Sequence, residues 1–237
     1  MKQSSLWSDR PDSPGYVESW ARKAGLLPVL GLDEAGRGCL AGPVVVAAVV
    51  LPDPPDVPGI RDSKLLTPAG REEVEAHVRA LALAFAVVER THARIDEVNI
   101  LRATLEAMRE AAEAAMAALA AAGRGPVGVV IVDGNQPVPG LAATQRAWPK
   151  GDRLSLNCAA ASILAKVHRD RLMDGMDGVH PGYGFAIHKG YATAEHRDAL
   201  ARLGPCAIHR LSFAPCRPAA PEAACEAAPA GGGGELL

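Results

Sequence analysis

No feature of this sequence identifies a disulfide-bonded, zinc-binding or membrane-spanning protein. The five cysteines include no C-x-x-C pair, and an odd number of widely spaced cysteines is typical of free thiols in a reducing compartment. The longest apolar run, residues 41–52, is shorter than the ~20 residues that a transmembrane helix needs. The N-terminal residues contain no apolar core of a secretory signal. We therefore expect a cytoplasmic protein that makes no contact with a membrane.

Aromatic residues are also few, and the overall charge is not basic. Aromatic residues make up 4% of the 237 residues, while 49% are hydrophobic, so the sequence predicts a core built from Ala, Val, Leu and Ile. The formal net charge is −2, whereas nucleic-acid-binding domains are often basic. Residues 146–217, however, contain 11 Lys and Arg against 6 Asp and Glu. This local excess is compatible with a solvated mixed surface and with a basic binding face.

The hydrophobic pattern predicts an α/β fold with a mixed sheet. Strands are predicted at residues 27–32, 44–51, 85–90, 127–132 and, more weakly, 143–148. A short glycine-rich connection joins the first two as a hairpin, and the third completes a meander. Helices are predicted at residues 17–23, 99–122, 155–173 and 193–203, with Thr193 as an N-cap. We interpret residues 177–190 as a loop and the Pro-, Ala- and Gly-rich residues 214–237 as a disordered tail.

Four carboxylates lie at or just beyond predicted strand ends, namely Asp33, Glu34, Asp133 and Asp152. A buried lone charge is costly, so such carboxylates persist when they are paired, hydrogen-bonded or bound to a metal. Oxygen ligands of this kind suit Mg²⁺ or Mn²⁺. Alternatively, Asp33 and Asp133 are turn-capping residues after their strands. Adjacent strand residues point to opposite faces, so Asp33 and Glu34 reach one site only if the strand ends there.

Several segments, in order, resemble type 2 ribonucleases H, the ribonuclease HII family. These segments are GLDEAGRG (31–38), AGPVVVAAVVLP (41–52), DSKLL (62–66), ARIDEVNILRATLEAM (93–108), VDG (132–134), KGD (150–152), AAASILAKVHRDRLM (159–173) and HPGYGFAIHKGYATAEH (180–196). The resemblance extends from about residue 28 to 214. Two cysteines depart from the family pattern: Cys39 stands where proline is common, and Cys158 where an aliphatic residue is usual.

The resemblance implies a ribonuclease H-like sheet of five strands flanked by helices, with a C-terminal helical extension. It divides the chain into a lead segment (1–26), a catalytic domain (27–213) and a tail (214–237). It further implies a monomeric endonuclease that hydrolyses the RNA strand of RNA–DNA hybrids and incises DNA 5′ of embedded ribonucleotides, a step of ribonucleotide excision repair. Two Mn²⁺ or Mg²⁺ ions would serve this hydrolysis, leaving 3′-hydroxyl and 5′-phosphate ends. The implied metal-binding and catalytic set is Asp33, Glu34, Asp133 and Asp152, with Asp170 competing for the last place.

By the same resemblance, Gly36–Arg37–Gly38 reads the ribonucleotide 2′-hydroxyl and Tyr191 contacts the deoxynucleotide at the RNA–DNA junction. A tight turn and a core tyrosine are the respective alternatives. The residues expected near phosphates are Lys64, Lys166, Arg169 and Lys189, each of which is otherwise interpreted as a solvated surface charge, and also Ser155. Four histidines lack the spacing of a metal-binding helix and are interpreted as hydrogen-bonding or substrate-flanking residues: His180, His188, His196 and His209.

Three other functions are weighed against this one. A catalytically silent nucleic-acid-binding module would bind nucleic acid more tightly without four negative charges next to the phosphates. The presence of these charges argues against such a module. A nucleotide triphosphatase is disfavoured because the sequence contains no G-x-x-x-x-G-K-[ST]. Ribonuclease HIII, the related nuclease, generally carries an N-terminal substrate-binding extension, and about 27 residues precede the first predicted strand here.

Overall fold

A single mixed sheet forms the centre of the molecule. The structure, a computed structural model, describes residues 12–60 and 65–217. The five strands are β1 (Val29–Ala35), β2 (Val44–Val50), β3 (Ala84–Arg90), β4 (Val129–Asp133) and β5 (Gln145–Trp148). Their order across the sheet is β3-β2-β1-β4-β5. β2 pairs antiparallel with β1 and β3, which confirms the predicted hairpin and meander, while β4 is parallel to both β1 and β5.

Eight helices accompany the sheet in the part of the chain that the structure describes. They are α1 (Tyr16–Lys23), α2 (Pro68–Leu81), α3 (His92–Val98), α4 (Ile100–Ala121), α5 (Gly151–Leu154), α6 (Leu156–Val179), α7 (Phe185–His188) and α8 (Ala194–Leu203). The sequence pattern predicts neither α2 nor α3. The buried side chains of α2 are few, chiefly Val74 and Val78, so its apolar stripe is thin.

The two long helices cover opposite faces of the sheet. Side chains such as Leu164 of α6 pack with Val45 and Val49 of β2 on one face. On the other face, Ala111 of α4 packs with Leu30 of β1. Because successive strand residues point to opposite sides, β1 and β2 supply side chains to both cores. A mixed sheet with helices on both faces confirms the predicted α/β class.

The N-terminal helix α1 is packed against the body of the protein. Val17 and Ala21 join a buried cluster with Val129 of β4. The Glu18 carboxylate is also buried, and its Oε1 accepts hydrogen bonds from the Ser155 hydroxyl (2.6 Å) and other groups at the start of α6. Through these contacts α1 is attached to the same helix that passes beside the acidic residues of β1.

The C-terminal region is more ordered than the pattern indicated. Within the predicted loop 177–190, α6 continues to Val179 and α7 forms a further turn of helix. Thr193 caps α8 as predicted, its hydroxyl accepting a hydrogen bond from the His196 N–H. Residues 214–216 of the predicted tail form a 3-10 turn in which Cys216 is buried, and residues 218–237 lie outside the described residues. Across the described ranges, no helix is long and apolar enough to cross a membrane.

Candidate metal centre and nucleic-acid cleft

Three aspartates converge at one edge of the sheet. Carboxylate oxygens of Asp33, Asp133 and Asp152 all lie within 4.8 Å of one another. Asp33 lies near the end of β1 and Asp133 ends β4, and because these strands are adjacent and parallel, their carboxyl ends meet at the same edge. Asp152 comes from the short helix α5 that follows β5. The arrangement brings together three of the four acidic residues that the sequence singled out.

The electrostatics of the cluster favour a bound cation. Burial raises the pKa of Asp33 well above its usual range, and the nearby negative charges of Asp133 and Glu34 raise it further. Hydrogen bonds from the Ser162 hydroxyl and the Glu34 backbone N–H act in the opposite direction. A divalent cation would relieve this repulsion, and three carboxylates are the hard oxygen donors that Mg²⁺ or Mn²⁺ prefers. The residues present therefore fit such an ion.

Glu34 lies beside this cluster but does not belong to the group of three. The strand does not end at Asp33: the ladder continues, with Asp33 opposite Ala47 and Glu34 opposite Val46. Consecutive strand residues diverge, which separates the two side chains. Glu34 Oε1 accepts a hydrogen bond of 3.0 Å from Arg37, and Oε2 is buried without a hydrogen-bond partner among the described residues. Burial raises the pKa of Glu34.

Asp170, the alternative fourth ligand, is paired with a lysine of its own helix. Its carboxylate forms an ion pair with Lys166, one helical turn earlier on α6. Its neighbours in sequence make other contacts: Arg169 donates to backbone carbonyls, and Arg171 pairs with Glu75 on α2. Asp152, and not Asp170, is the residue whose carboxylate lies within reach of Asp33 and Asp133.

Two adjoining clefts lead away from the acidic residues. The first, of about 360 Å³, is bordered by Glu34, the Gly36–Arg37 turn and Asp152, and the second, of about 550 Å³, follows α6 and α7. Arg71, Lys166 and Tyr191 line both. A continuous path thus runs from the carboxylates to cationic and aromatic side chains, as a polyanionic chain with stacked bases would require.

The two glycines of the Gly36–Arg37–Gly38 turn have different surroundings. Gly36 has a φ of +88°, and a Cβ there would lie 2.0 Å from Arg169 Nε, so only glycine fits. The Gly36 and Arg37 carbonyls accept hydrogen bonds from the Arg210 guanidinium. Around Gly38, by contrast, a Cβ would meet no heavy atom of residues 12–60 and 65–217 within 4 Å. The tight-turn interpretation therefore holds for Gly36, while the backbone at Gly38 leaves room for a nucleic acid to approach closely.

Two of the residues expected near phosphates, Arg169 and Ser155, have buried side chains. The Arg169 guanidinium is fully buried and donates to the backbone carbonyls of Pro43, Lys189 and Ala41 at 2.9–3.0 Å. Ser155 is 1% exposed, caps the N-terminus of α6 and donates its hydroxyl hydrogen to Glu18. Both residues hold elements together, and neither offers a free group to a nucleic acid.

Tyr191 and Lys166 remain available to a ligand. Tyr191 is 40% exposed, so it is not a core residue. Its ring contacts a neighbour, because Lys166 Nζ lies 5.8 Å from the ring centroid. Its hydroxyl forms a hydrogen bond with the thiol of Cys39, and burial raises its pKa. Lys166 lines both clefts. Lys64 lies outside the described residues.

Sequence reasoning missed three residues of the site, namely Ser162, Arg71 and Arg210. Ser162 bonds Asp33, Arg71 lines both clefts, and Arg210 braces the glycine turn. A signal for Ser162 exists: it is the only polar residue in the run 159–165 and precedes Lys166 by four residues on the same helix. Arg210 carries no local signal, because its partners are 168 to 174 residues away in sequence.

Known proteins resemble this chain in sequence and in fold. The family model described as "Ribonuclease HII" matches residues 30–216. The chain belongs to the ribonuclease HII family. The ribonuclease HII of Geobacter sulfurreducens is 51% identical over 196 residues, covering 83% of this chain and 86% of that protein. Ribonuclease H2 from Pyrococcus horikoshii OT3 is 27% identical with a TM-score of 0.65, covering 80% of this chain and 95% of that structure.

A third similarity concerns the fold alone. A Bst-RNase HIII, solved in complex with Mn²⁺, is 20% identical with a TM-score of 0.68, and the match covers 83% of this chain and 70% of that one. These comparisons confirm the ribonuclease H-like fold. As a ribonuclease HII, the protein is an endoribonuclease, a phosphodiester hydrolase that cleaves the RNA of RNA–DNA hybrids. The silent binding module and the triphosphatase are thereby excluded.

Proposed function

We propose that this ribonuclease HII uses Asp33, Asp133 and Asp152 to hold Mg²⁺ or Mn²⁺, with Glu34 completing the acidic set, and that it incises DNA on the 5′ side of embedded ribonucleotides. The observation that carries the proposal is the approach of three carboxylates to within 4.8 Å at the opening of a cleft. The Mn²⁺ in the structure of the related Bst-RNase HIII supports the choice of ion.

The protein groups have separate tasks in this proposal. Bound at these carboxylates, divalent ions would activate water and stabilise the leaving oxygen of the phosphodiester. Ser162 and the Gly151 N–H fix the orientations of Asp33 and Asp133 before any ion arrives. Glu34 offers its Oε2, which has no hydrogen-bond partner among the described residues, and Arg37 keeps its other oxygen in place.

Substrate recognition falls to the cleft. The backbone at Gly38, with open space where a side chain would be, is where a ribose 2′-hydroxyl can approach amides and carbonyls. Lys166 and Arg71 supply positive charge for the phosphates on either side. The exposed part of the Tyr191 ring packs against the sugar that follows the ribonucleotide.

Cleavage of a labelled DNA duplex containing one ribonucleotide tests the proposal. We expect one incision 5′ of the ribonucleotide, with 3′-hydroxyl and 5′-phosphate ends, when Mg²⁺ or Mn²⁺ is present. An all-DNA duplex of the same sequence and a reaction with excess chelator are the controls, and both should stay intact. Cleavage in chelator, or incision of the all-DNA duplex at a comparable rate, would overturn the proposal.

The cellular setting follows from this activity. We expect a monomer that acts in the cytoplasm on RNA–DNA hybrids and on ribonucleotide-containing DNA, in ribonucleotide excision repair. Light scattering on the purified protein measures the oligomeric state directly. A mass near 24.6 kDa agrees with the monomer, and twice that mass contradicts it.

A further inference from the structure

A buried chain of hydrogen bonds runs from the loop after α8 to the backbone of Tyr191. The backbone N–H of Cys206 donates to His209 Nδ1 at 2.9 Å. His209 Nε2 lies 3.1 Å from His196 Nε2. His196 Nδ1 lies 2.9 Å from the Tyr191 carbonyl oxygen. Both imidazoles are shielded from solvent, with 0% and 1% of their surface exposed.

The groups at the two ends of this series of hydrogen bonds determine which ring nitrogens carry a hydrogen. A carbonyl oxygen only accepts, so His196 Nδ1 carries a hydrogen. An amide N–H only donates, so His209 Nδ1 carries a lone pair and its hydrogen is on Nε2. The central contact is then a donation from His209 Nε2–H to the lone pair of His196 Nε2. Both rings are neutral in this arrangement, and each has one defined tautomer.

This arrangement leaves no imidazole nitrogen for a metal. Both nitrogens of His196 and both of His209 are engaged in the chain. The Cys206 thiol lies 3.1 Å from His209 Nδ1, which already accepts the Cys206 amide hydrogen. A positioning role fits the geometry better than a ligand-binding role.

The segment held by this chain borders the substrate cleft. The Tyr191 carbonyl also accepts from the Thr193 N–H at 2.8 Å, and the Tyr191 N–H donates to the His188 carbonyl at 2.9 Å. His188 is stacked on His196 at 4.3 Å between ring centroids, and its Nδ1 accepts the Gly190 N–H. The backbone on both sides of Tyr191 is thus fixed by histidines, of which His188 itself lines the second cleft.

We propose that His196 and His209 form a neutral relay with fixed tautomers that positions Tyr191 for reading the RNA–DNA junction. The role of Tyr191 in this statement rests on the proposed function. The relay itself is a property of the protein without substrate. His196 is a positioning residue that acts through the Tyr191 carbonyl, and His209 acts through His196.

Substitution of His196 by Asn or by Gln, whose amide groups each mimic one of the two ring nitrogens, distinguishes the positioning role from simple core packing. His196→Asn places an N–H near the position of Nδ1 and keeps the donor to the Tyr191 carbonyl. His196→Gln is closer to histidine in volume, but its amide reproduces the acceptor at Nε2 and loses that donor. Packing alone predicts that Gln is tolerated better than Asn, whereas the relay predicts the reverse.

The measured quantity is the ratio of kcat/KM on a DNA duplex with one ribonucleotide to kcat/KM on a uniform RNA–DNA hybrid. We expect His196→Gln to lower this ratio about tenfold and His196→Asn to lower it less than about twofold. His209→Gln, which keeps an ε donor, should likewise retain more of the ratio than His209→Asn. Equal effects of Asn and Gln at position 196, or a larger loss with Asn, would overturn the relay.

A second measurement does not depend on activity or on the variants folding. Long-range ¹H–¹⁵N spectra of the wild-type protein distinguish a hydrogen on Nδ1 from one on Nε2. We expect Nδ1–H for His196 and Nε2–H for His209 at neutral pH, and any other assignment contradicts the relay. If these tautomers are found while the wild type shows no incision at single ribonucleotides, the proposed function fails and the relay stands.

Discussion

The backbone N–H of Gly151 donates a hydrogen bond of 2.8 Å to Asp133 Oδ1 and so ties the start of α5 to the end of β4. The next residue in the chain is Asp152, so this bond helps to set the separation of the two carboxylates. The contact is close because residue 151 is glycine: a Cβ there would lie 3.3 Å from the Asp133 Cα.

Gly151→Ala should therefore displace Asp152 from Asp133 by a few tenths of an ångström. We expect cleavage of an RNA–DNA hybrid to fall about tenfold, because catalytic groups tolerate little displacement. The matched control is Gly175→Ala in α6, where a Cβ would meet no atom within 4 Å. That change should leave activity intact and stabilise the helix by about 1 kcal/mol. Equal activities of the two variants would show that the Gly151 contact is unimportant.

Asp33→Asn should abolish cleavage and stabilise the metal-free protein. Burial and like charges raise the Asp33 pKa, so its contribution to stability is present at low pH and is lost as the pH rises through the folded-state pKa. Without metal at neutral pH, removing the charge should raise the melting temperature by a few degrees. Melting curves at pH 5 and pH 8 check the sign, since the gain should be larger at pH 8. Substantial turnover of the variant at saturating Mn²⁺ would refute the assignment.

Tyr191→Ala should weaken cleavage at a single ribonucleotide by about ten- to a hundredfold, since packing of an aromatic ring is worth about 1–3 kcal/mol. A uniform hybrid lacks the RNA-to-DNA step within its RNA strand, so its cleavage should suffer less. Tyr191→Phe loses the hydrogen bond with Cys39 but keeps the ring. We expect it to lie nearer the wild type. With circular dichroism confirming the fold, equal losses on both substrates would favour a structural role.

The histidine relay also makes the stability pH-dependent. Burial, together with the nearby His196, His180 and His188, lowers the pKa of His209 to about 4, while a backbone hydrogen bond at Cys206 acts in the opposite direction. Because the unfolded-state pKa is near 6.5, this stability is complete above that pH and is lost as the pH falls towards 4. The unfolding free energy of the wild type should fall between pH 7.5 and pH 5. In His209→Gln we expect this fall to be smaller by about 2 kcal/mol. Parallel urea-denaturation series for the two proteins would contradict this.

The sequence predicted the acidic site because its signals are local. The apolar runs that lead into Asp33 and Asp133 can be recognised in the sequence alone, and parallel neighbouring strands bring such residues to one edge of the sheet. The end of β1 was misjudged because the sheet partner that extends the ladder to Ala35 lies in β2. The extent of α6 was underestimated because Gly175 and Gly178 look like breakers.

The roles of the arginines could not be predicted from their neighbours in sequence. Arg169 is flanked by Asp170 and looks like a surface residue, yet carbonyls from distant segments surround it. Arg210 is likewise buried by segments more than 160 residues away. Long-range packing of this kind has no local pattern, whereas the cap at Thr193, which involves neighbours only, was predicted correctly.

Binding of Mn²⁺, followed by electron paramagnetic resonance, tests the central claim most directly. Asp152 lies within the carboxylate group, and Asp170 is paired with Lys166 on the helix surface. We expect the wild type and Asp170→Asn to bind Mn²⁺ with similar affinity, and single-turnover cleavage by Asp170→Asn to stay close to that of the wild type. Asp152→Asn should bind Mn²⁺ at least about tenfold more weakly and lose turnover by orders of magnitude. Unchanged Mn²⁺ affinity in Asp152→Asn, or the reverse ranking of the two variants, would contradict the assignment of the metal centre.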